Sequence, residues 1–386
     1  MPFGPGFLVS VTCLGGYVYW RFSFRQVTAA IEMDRAGRTD EARALLHRFL
    51  GSRNPLVRRG EPRARLLLAR LERKAGRYAE AVKAADALLA LPYPRGITVP
   101  ALQVRADALA WAGDLDGALE SAEQALVLAE QSRGGAAETE WMLVRILTWR
   151  GEMDRARERA DRLSQEPAPT RWYGLLRLAE IERLAGDSGA AAEQCRQLIE
   201  SVNAAGDSAR GAPLRRGFVG LAHFHAARAA WQAGDQALAT EWLDFPAADL
   251  LPASERVSWW GLQAAAAADR GEMDTANGHL NAMRAAMKVA PAGYGTRAWS
   301  SYYTARVEMA AGRFEAAADG LTEAIRNDPP REALAEMFFC LGLCLEQTGS
   351  PGAAGAFACG ARQPAAFYYA RLCRDRAAAR EECASV

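Results

Sequence analysis

Nine glycines, each followed five residues later by an alanine, recur along this chain of 386 residues. Successive glycines are 35 to 48 residues apart, and they are Gly37, Gly76, Gly113, Gly151, Gly186, Gly234, Gly271, Gly312 and Gly349. A period of this length is typical of proteins built from stacked copies of one supersecondary unit. Each unit packs mainly on its neighbours, so such a chain can exceed the size of a single hydrophobic core. The structure of one unit therefore determines most of the fold.

The residues around each glycine predict two helices joined by a tight turn, as in Ala-Gly-Asp-Leu-Asp-Gly-Ala at residues 112–118. Glycine is favoured just past the end of a helix, where the backbone turns to positive φ. Carboxylates such as Asp116 and Asp154 follow the turn, and they favour the positive end of the next helix. The residue seven positions before each glycine is small in eight of nine cases, which lets the two helices approach closely. We predict nine helix–turn–helix hairpins.

This combination of a small residue, a glycine and an alanine resembles the tetratricopeptide repeat family, from about Phe24 to Arg362. The resemblance implies an all-α, right-handed superhelical solenoid, in which the first helix of each hairpin lines a concave groove. The chain departs from the family in two respects. Most of its repeats exceed the usual length of about 34 residues. The bulky residue eleven positions before the glycine is aromatic only at Trp260 and Phe338.

Composition divides the chain into three predicted parts. Residues 1–22 form an apolar N-terminal segment, residues 23–363 form the repeat array, and residues 364–386 form a C-terminal helix that caps the array. The longest spacing between glycines, 48 residues, coincides with residues 201–216, which are rich in Gly, Ala, Ser and Arg. This composition predicts a flexible insertion between the fifth and sixth hairpins.

The N-terminal segment has the character of a membrane anchor. Residues 1–20 contain no charged side chain, and Arg21 and Arg25 follow at once. About 20 uncharged residues can cross a bilayer as a helix. Residues 1–75 hold fourteen Arg and Lys against six Asp and Glu, and such a basic region stays on the cytoplasmic side. We therefore expect residues 1–22 and the basic first repeats to contact the inner membrane, with the array in the cytoplasm. The alternative is a soluble cytoplasmic protein in which this segment caps the first repeat.

The residue types needed for catalysis or metal binding do not occur in a suitable pattern. The seven cysteines include no C-x-x-C pair, and His223 and His225 are two residues apart, so on a helix they point to different sides. A glycine-rich phosphate loop and a nucleophile elbow are both absent from the sequence. We predict no enzyme activity, no cofactor and no metal. A net charge of only +1 also argues against a nucleic-acid partner.

The resemblance places groove-lining side chains six and ten positions before each turn glycine. Six before, the chain has Arg70, Asp107, Arg145, Glu180, Arg228 and Arg306. Ten before, it has Trp141, Phe224, Tyr302 and Phe339. Arginine beside an aromatic ring combines carboxylate recognition, cation–π contact and apolar burial. These ten residues are our predicted partner-binding groove, and the alternative is that some of the rings pack between hairpins.

Two functions fit this organisation. The first is a membrane-tethered scaffold that holds a protein or peptide partner in the groove. Its layout is similar to that of bacterial membrane-anchored tetratricopeptide assembly proteins, although this chain lacks their C-terminal metal-binding cysteine pairs. The second is a soluble sensor or regulatory module that binds a small molecule or a signalling peptide. Only three of the 47 basic residues are lysines, which indicates a GC-rich bacterial genome.

Overall fold

The computed structural model describes residues 25–52, 60–131, 135–205, 211–290, 295–327 and 329–384. All regular secondary structure in these ranges is helical, which confirms the predicted all-α fold. The chain forms two compact units, Met1–Thr139 and Glu140–Val386.

The first unit contains three helical hairpins and the start of a fourth. Its helices are α1 (residues 25–35), α2 (Thr39–Leu50), α3 (Glu61–Lys74), α4 (Tyr78–Leu89), α5 (Arg95–Ala112), α6 (Leu115–Glu130) and the first residues of α7 (Ala136–Arg150). The first helix of one hairpin packs against the second helix of the same hairpin and of the preceding one. The core at the start of this unit is formed by Ala30, Leu46, Phe49 and Leu71.

The second unit contains the remaining hairpins and a final helix. Its helices are the rest of α7, α8 (Met153–Gln165), α9 (Thr170–Ala185), α10 (Ser188–Ala204), α11 (Ala212–Gln232), α12 (Gln236–Leu243), α13 (Ala253–Asp269), α14 (Met273–Met287), α15 (Thr296–Ala310), α16 (Phe314–Arg326), α17 (Arg331–Gln347), α18 (Ala353–Ala361) and α19 (Tyr368–Ala384). A short 3-10 helix, Ala247–Asp249, precedes α13. The final helix, α19, packs against α17 and α18.

All nine turn glycines have positive φ, between +66° and +96°. At most of these turns the glycine N–H bonds a carbonyl three residues back, and the next N–H bonds one five residues back, as at Gly271 and Glu272. These are the bonds that close a helix with a left-handed residue. The turn predicted from the sequence is therefore present in all nine hairpins.

Replacing Gly271 by alanine isolates the contribution of this backbone conformation. Gly271 has φ +79° and no atom within 4 Å of the position of an added Cβ, so the substitution adds strain without a clash. We expect Gly271→Ala to lower stability by about 1 kcal/mol. The control is Gly278→Ala in the middle of α14, which also has open space and should raise stability by about 0.5–1 kcal/mol. Urea unfolding of both variants tests this, and equal effects of the same sign would contradict it.

The alanine that follows each turn is buried in eight of the nine hairpins, and the ninth differs. Ala354 is exposed, while its neighbour Ala353 is buried. In this hairpin the small residue seven before the turn is Gly342, and a Cβ there would lie 2.6 Å from Cζ of Phe357. The ring of Phe357 on α18 thus packs against the backbone of Gly342 on α17. The buried alanine of this hairpin is Ala353, one residue earlier than the corresponding alanine of the other hairpins.

Most of residues 201–216, predicted as a flexible insertion, is helical, since α10 continues to Ala204 and α11 begins at Ala212. The long spacing here arises largely from long helices, α11 having 21 residues. Residues 206–210 and the N-terminal residues 1–22 lie outside the described residues. No helix in the described part of the chain has both the length and the apolar character needed to span a bilayer.

Candidate functional site: a buried ionic cluster

Charged and aromatic side chains from five helices meet inside the second unit. We call these residues the central cluster; they come from α9, α11, α15, α17 and α19 and are Arg177, Glu180, Arg183, Arg228, Gln232, Tyr302, Arg306, Glu332, Glu336 and Tyr369. Buried ionic groups are costly unless they are paired, so the contacts within this cluster decide its energetics.

Glu336 is the centre of the cluster. Its carboxylate accepts hydrogen bonds from Tyr302 Oη at 2.5 Å, Gln232 Nε2 at 2.6 Å and Arg228 Nη2 at 3.3 Å. Burial alone would raise the pKa of Glu336, but Arg228 and these hydrogen bonds lower it overall. The carboxylate is therefore ionised at neutral pH, and it joins α11, α15 and α17 through residues 34 to 108 positions away.

Helix α9 contributes a second ionic group next to the first. Arg177 and Glu180, one turn apart, form a buried ion pair, and Arg183 Nη1 donates to Gln232 Oε1 at 3.0 Å. Burial would raise the pKa of Glu180, but Arg177, His225 and Arg183 lower it to about 2. Gln232 therefore links the α9 group to Glu336.

Three arginines of this region lie over tryptophan rings. Arg228 Cζ is 4.2 Å from the centre of Trp299, Arg306 Cζ is 4.4 Å from that of Trp231, and Arg177 Cζ is 4.1 Å from that of Trp141. A desolvated cation at this distance from a tryptophan face is attracted to the ring. The rings thus offset part of the cost of burying the guanidinium groups.

Several polar atoms of the region remain without a hydrogen bond. Among the described residues, the Tyr303 hydroxyl, Glu332 Oε2 and the Nε atoms of Arg183 and Arg228 are buried and have no hydrogen-bond partner. Burial and the nearby Glu180 raise the pKa of Glu332. The space between Arg183, Glu332 and Tyr369 that a water molecule could enter is only about 10 Å³. Because unsatisfied buried groups are costly, the central cluster is less stabilising than an equally buried apolar core.

His225 on α11 gives the region a measurable pH dependence. Burial, with Arg183, Arg228 and Arg177 nearby, lowers its pKa to about 3 even though Glu180 acts in the opposite direction. An unfolded histidine has a pKa of about 6.5. The folded chain therefore binds fewer protons below pH 6.5, so stability is full above that pH and is lost as the pH falls towards 3.

We expect the unfolding free energy of the wild type to fall by about 1–2 kcal/mol more than that of His225→Gln between pH 7 and pH 5. Carboxylates titrate mainly below this window, and the other histidines are common to both proteins. Urea unfolding at a series of pH values gives the two slopes. Parallel slopes would contradict a neutral, desolvated His225.

The structure brings some of the predicted groove residues of the second unit together. Arg228, Tyr302 and Arg306 all belong to the central cluster, as does Glu180. The Cζ atoms of Arg145 and Arg177 lie 5.4 Å and 4.1 Å from the centre of the Trp141 ring.

Phe224 and Phe339, also predicted for the groove, pack against apolar and aromatic side chains. Phe224 is buried in the core of the second unit, and Phe339 packs against Phe357 and Tyr369. Packing of some rings between hairpins was the alternative that the sequence left open.

The two predicted residues of the first unit behave differently from each other. Asp107 is buried and forms an ion pair with Arg73 of the preceding hairpin. Arg70 is exposed.

The sequence predicts an open groove at these positions, and the structure corrects this for the second unit. Glu180, Arg228 and Tyr302 are buried, at 9%, 4% and 0% exposure. The reason is that these side chains meet others of the same unit: Glu336 of α17 contacts Arg228 and Tyr302, and Arg177 pairs with Glu180. The sides of α9, α11 and α15 that carry these residues, which we call the inner face, are therefore in contact with other side chains of the same unit.

Glu336, Gln232, Arg183 and Tyr369 escaped prediction because they do not share one position relative to the turn glycines. Glu336 carried a usable signal: it stands in the apolar stretch Ala-Leu-Ala-Glu-Met-Phe-Phe-Cys at residues 333–340. A lone carboxylate there needs a buried partner.

The other residues considered for catalysis or metal binding are packed within the protein. The His223 ring stacks on Phe245 with 3.8 Å between centroids, and Cys340 and Cys344 are buried thiols. No group of His, Cys, Asp or Glu side chains suited to a metal ion occurs among the described residues.

Residues 364–371, which we call the closing segment, lie on the turns of the fourth and fifth hairpins. A Cβ on Gly151 would lie 2.6 Å from Cβ of Pro364, and one on Gly186 would lie 2.8 Å from Cδ2 of Tyr368. The side chain of Arg371 donates to the carbonyl of Ala185 at 2.8 Å. These contacts join parts of the second unit that are about 190 residues apart in sequence.

Comparison with solved structures identifies the fold. The chain is similar to a Rap protein complexed with Competence and Sporulation Factor, with a TM-score of 0.55, 11% identity, and coverage of 88% of this chain and 96% of that one. It also matches the quorum sensor NprR from B. thuringiensis in its apo form, with a TM-score of 0.49, 12% identity, and coverage of 92% and 97%. A third match is a tetratricopeptide repeat protein from Parabacteroides merdae, with a TM-score of 0.45, 14% identity, and coverage of 84% of this chain and 98% of that one. No family model and no curated protein matches the chain. The likeness to the Rap protein confirms a tetratricopeptide-like helical solenoid.

Proposed function

We propose that this tetratricopeptide-like solenoid is a non-enzymatic interaction module that binds a protein or peptide segment on the inner face of its second unit. The observation that carries this proposal is the set of arginine–tryptophan pairs on the first helices of the fourth, fifth, sixth and eighth hairpins. Arginine and tryptophan are the residues that most often dominate binding energy at protein interfaces. A catalytic site would instead call for a nucleophile, base or metal set, and the sequence has none in a suitable arrangement.

The charges of the inner face indicate the chemistry of the partner. Arg177, Arg228 and Arg306 present planar guanidinium groups, each lying over a tryptophan ring. Such groups bind carboxylates through two parallel hydrogen bonds. Within this chain Glu180 and Glu336 already fill that role for Arg177 and Arg228, so we infer a partner segment that contributes apolar or aromatic side chains.

Selection from a displayed random-peptide library, with the full chain as bait, tests the proposal. Selected peptides should lose at least about tenfold in affinity on Arg306→Lys, which keeps the charge but loses the planar group over Trp231, and whose side chain is partly exposed. The matched control is Arg326→Lys, at the end of the second helix of its hairpin, where we expect no change. Failure to select any sequence, or equal affinity for both variants, would contradict the proposed function.

A sensor that binds a signalling factor is the second candidate. It is favoured by one comparison, since the Rap structure with this fold was solved in a complex with Competence and Sporulation Factor. A thermal-shift screen of the full chain against small metabolites and short peptides separates the two readings. Stabilisation by a small metabolite would favour the sensor, whereas stabilisation by peptides alone agrees with either a scaffold or a peptide sensor.

Membrane tethering through residues 1–22 is a separate part of the proposal, supported by the uncharged run and the basic residues that follow it. We expect the full chain to sediment with membranes and to need detergent for release. A variant lacking residues 2–22 should appear in the soluble fraction. Full-length protein found wholly in the soluble fraction would contradict the anchor and leave the interaction module unaffected.

A further inference from the structure

The closing segment covers more of the second unit than a terminal cap requires. A cap needs to cover the last hairpin, and α19 does so by burying Ala370 and Cys373 against it. Pro364, Tyr368 and Arg371 instead contact the turns of the fourth and fifth hairpins. These contacts lie at one end of the inner face, beside the central cluster.

The contacts of the closing segment match the surface beneath it in chemistry. Arg371 donates to the Ala185 carbonyl at the C-terminal end of α9, where unpaired carbonyls favour a cation. The Tyr369 hydroxyl donates to the Gln232 carbonyl at the end of α11, at 3.4 Å. Tyr368 packs on Gly186, where an added Cβ would lie 2.8 Å from Cδ2 of its ring. Two adjacent aromatic residues and an arginine two positions later thus fit two helix ends and one glycine turn.

The fit between the closing segment and the earlier hairpins combines apolar contacts with polar groups that are left unsatisfied. Phe367 is buried, but the Glu332 oxygen and Arg183 nitrogen beside it have no hydrogen-bond partner among the described residues. These unsatisfied polar groups lower the free energy needed to open the interface. Its occupant can therefore exchange with another segment of similar chemistry.

We propose that the surface formed by the ends of α7, α9 and α11 is a peptide site, and that the closing segment is its resident occupant. The partner is a segment with two adjacent aromatic residues followed two positions later by arginine, and it binds by displacing residues 364–371. This inference rests on the proposed function and specifies its partner and its regulation. The tethered segment competes at an effective concentration in the millimolar range, so only a tightly binding or locally concentrated partner gains access.

A synthetic peptide with the sequence of residues 364–371, Pro-Ala-Ala-Phe-Tyr-Tyr-Ala-Arg, tests the site directly. It is labelled and titrated into three full-length proteins: the wild type, the release variant Tyr368→Ala/Arg371→Ala, and the control Asp375→Ala/Arg376→Ala. The control changes two exposed residues of the same helix. We expect the release variant to bind the peptide at least about tenfold more tightly than the other two, because its own segment competes less. A scrambled peptide should not bind.

Hydrogen exchange of the same proteins provides the second measurement. In the release variant, the amides at the ends of α9 and α11 should exchange at least about tenfold faster than in the control, with the far-UV spectrum unchanged. Equal peptide affinity for all three proteins, binding of the scrambled peptide, or unchanged exchange would each overturn the inference. Failure of this site proposal can be distinguished from failure of the proposed function, which the library selection tests. Selected peptides that bind without competing with residues 364–371 would leave the proposed function intact and remove only this site.

Discussion

Glu336→Gln should lower the stability of the second unit by about 3 kcal/mol or more. The substitution leaves Arg228 buried without its carboxylate, and removing one partner of a buried ion pair costs about 3–5 kcal/mol. The Tyr302 and Gln232 hydrogen bonds to this position also lose their charged acceptor. Because a repeat array need not unfold in one step, the effect is best read from hydrogen exchange of α11, α15 and α17 together with urea unfolding.

The matched control is Glu158→Gln, which breaks an ion pair with Arg162 whose side chains are 70% and 63% exposed. Surface pairs of this kind contribute about 0–1 kcal/mol, so little change is expected. A double variant, Arg228→Met/Glu336→Leu, should recover much of the loss, because it leaves no unpaired charge. Equal stability of Glu336→Gln and the control would show that the cluster does not hold α11, α15 and α17 together.

Gly174→Ala should have the largest effect of any single added methyl group in the contact between α8 and α9. A Cβ at Gly174 would lie 2.7 Å from the Leu163 carbonyl carbon and 2.8 Å from the Ala160 oxygen, and it would also collide with the backbone nitrogen of Ser164. These are backbone atoms, so no side-chain rotation relieves the clash, and the helices must move apart. We expect a net loss of stability of about 2–3 kcal/mol. This figure already includes a gain of about 1 kcal/mol from alanine's higher helix propensity.

Gly355→Ala is the control for this prediction. Gly355 is also in a helix, α18, but no atom lies within 4 Å of an added Cβ. The substitution should therefore stabilise the chain by about 0.5–1 kcal/mol, opposite in sign to Gly174→Ala. Thermal unfolding of the two variants gives the comparison. A neutral or stabilising Gly174→Ala would mean that α8 and α9 are not in close contact at this point.

The hairpins could be predicted because each depends on residues close in sequence. Gly271 ends one helix through its own backbone conformation, and Ala276 packs within the same hairpin. The exception, Ala354, arose where Phe357 takes the buried position and Gly342 provides the space. The sequence therefore predicted each hairpin correctly wherever the contacts that determine it lie within that hairpin.

The central cluster could be predicted only in part, because it depends on how the small rotations of successive hairpins add up. Arg228 and Glu336 are 108 residues apart, and Tyr369 reaches Gln232 across 137. The spacing to a turn glycine places Arg228 and Tyr302 on the inner face, but it contains no information about what faces them. The burial of these side chains is therefore a result of the structure, as is the position of the closing segment.

The inner face as a binding site is tested most directly by hydrogen exchange of the full chain with and without a peptide from the library selection. We predict protection of α9, α11 and α15, and faster exchange in residues 364–371 as the closing segment is displaced. Protection confined to the second helices of the hairpins, such as α10, α12 and α16, with no change in residues 364–371, would contradict the account.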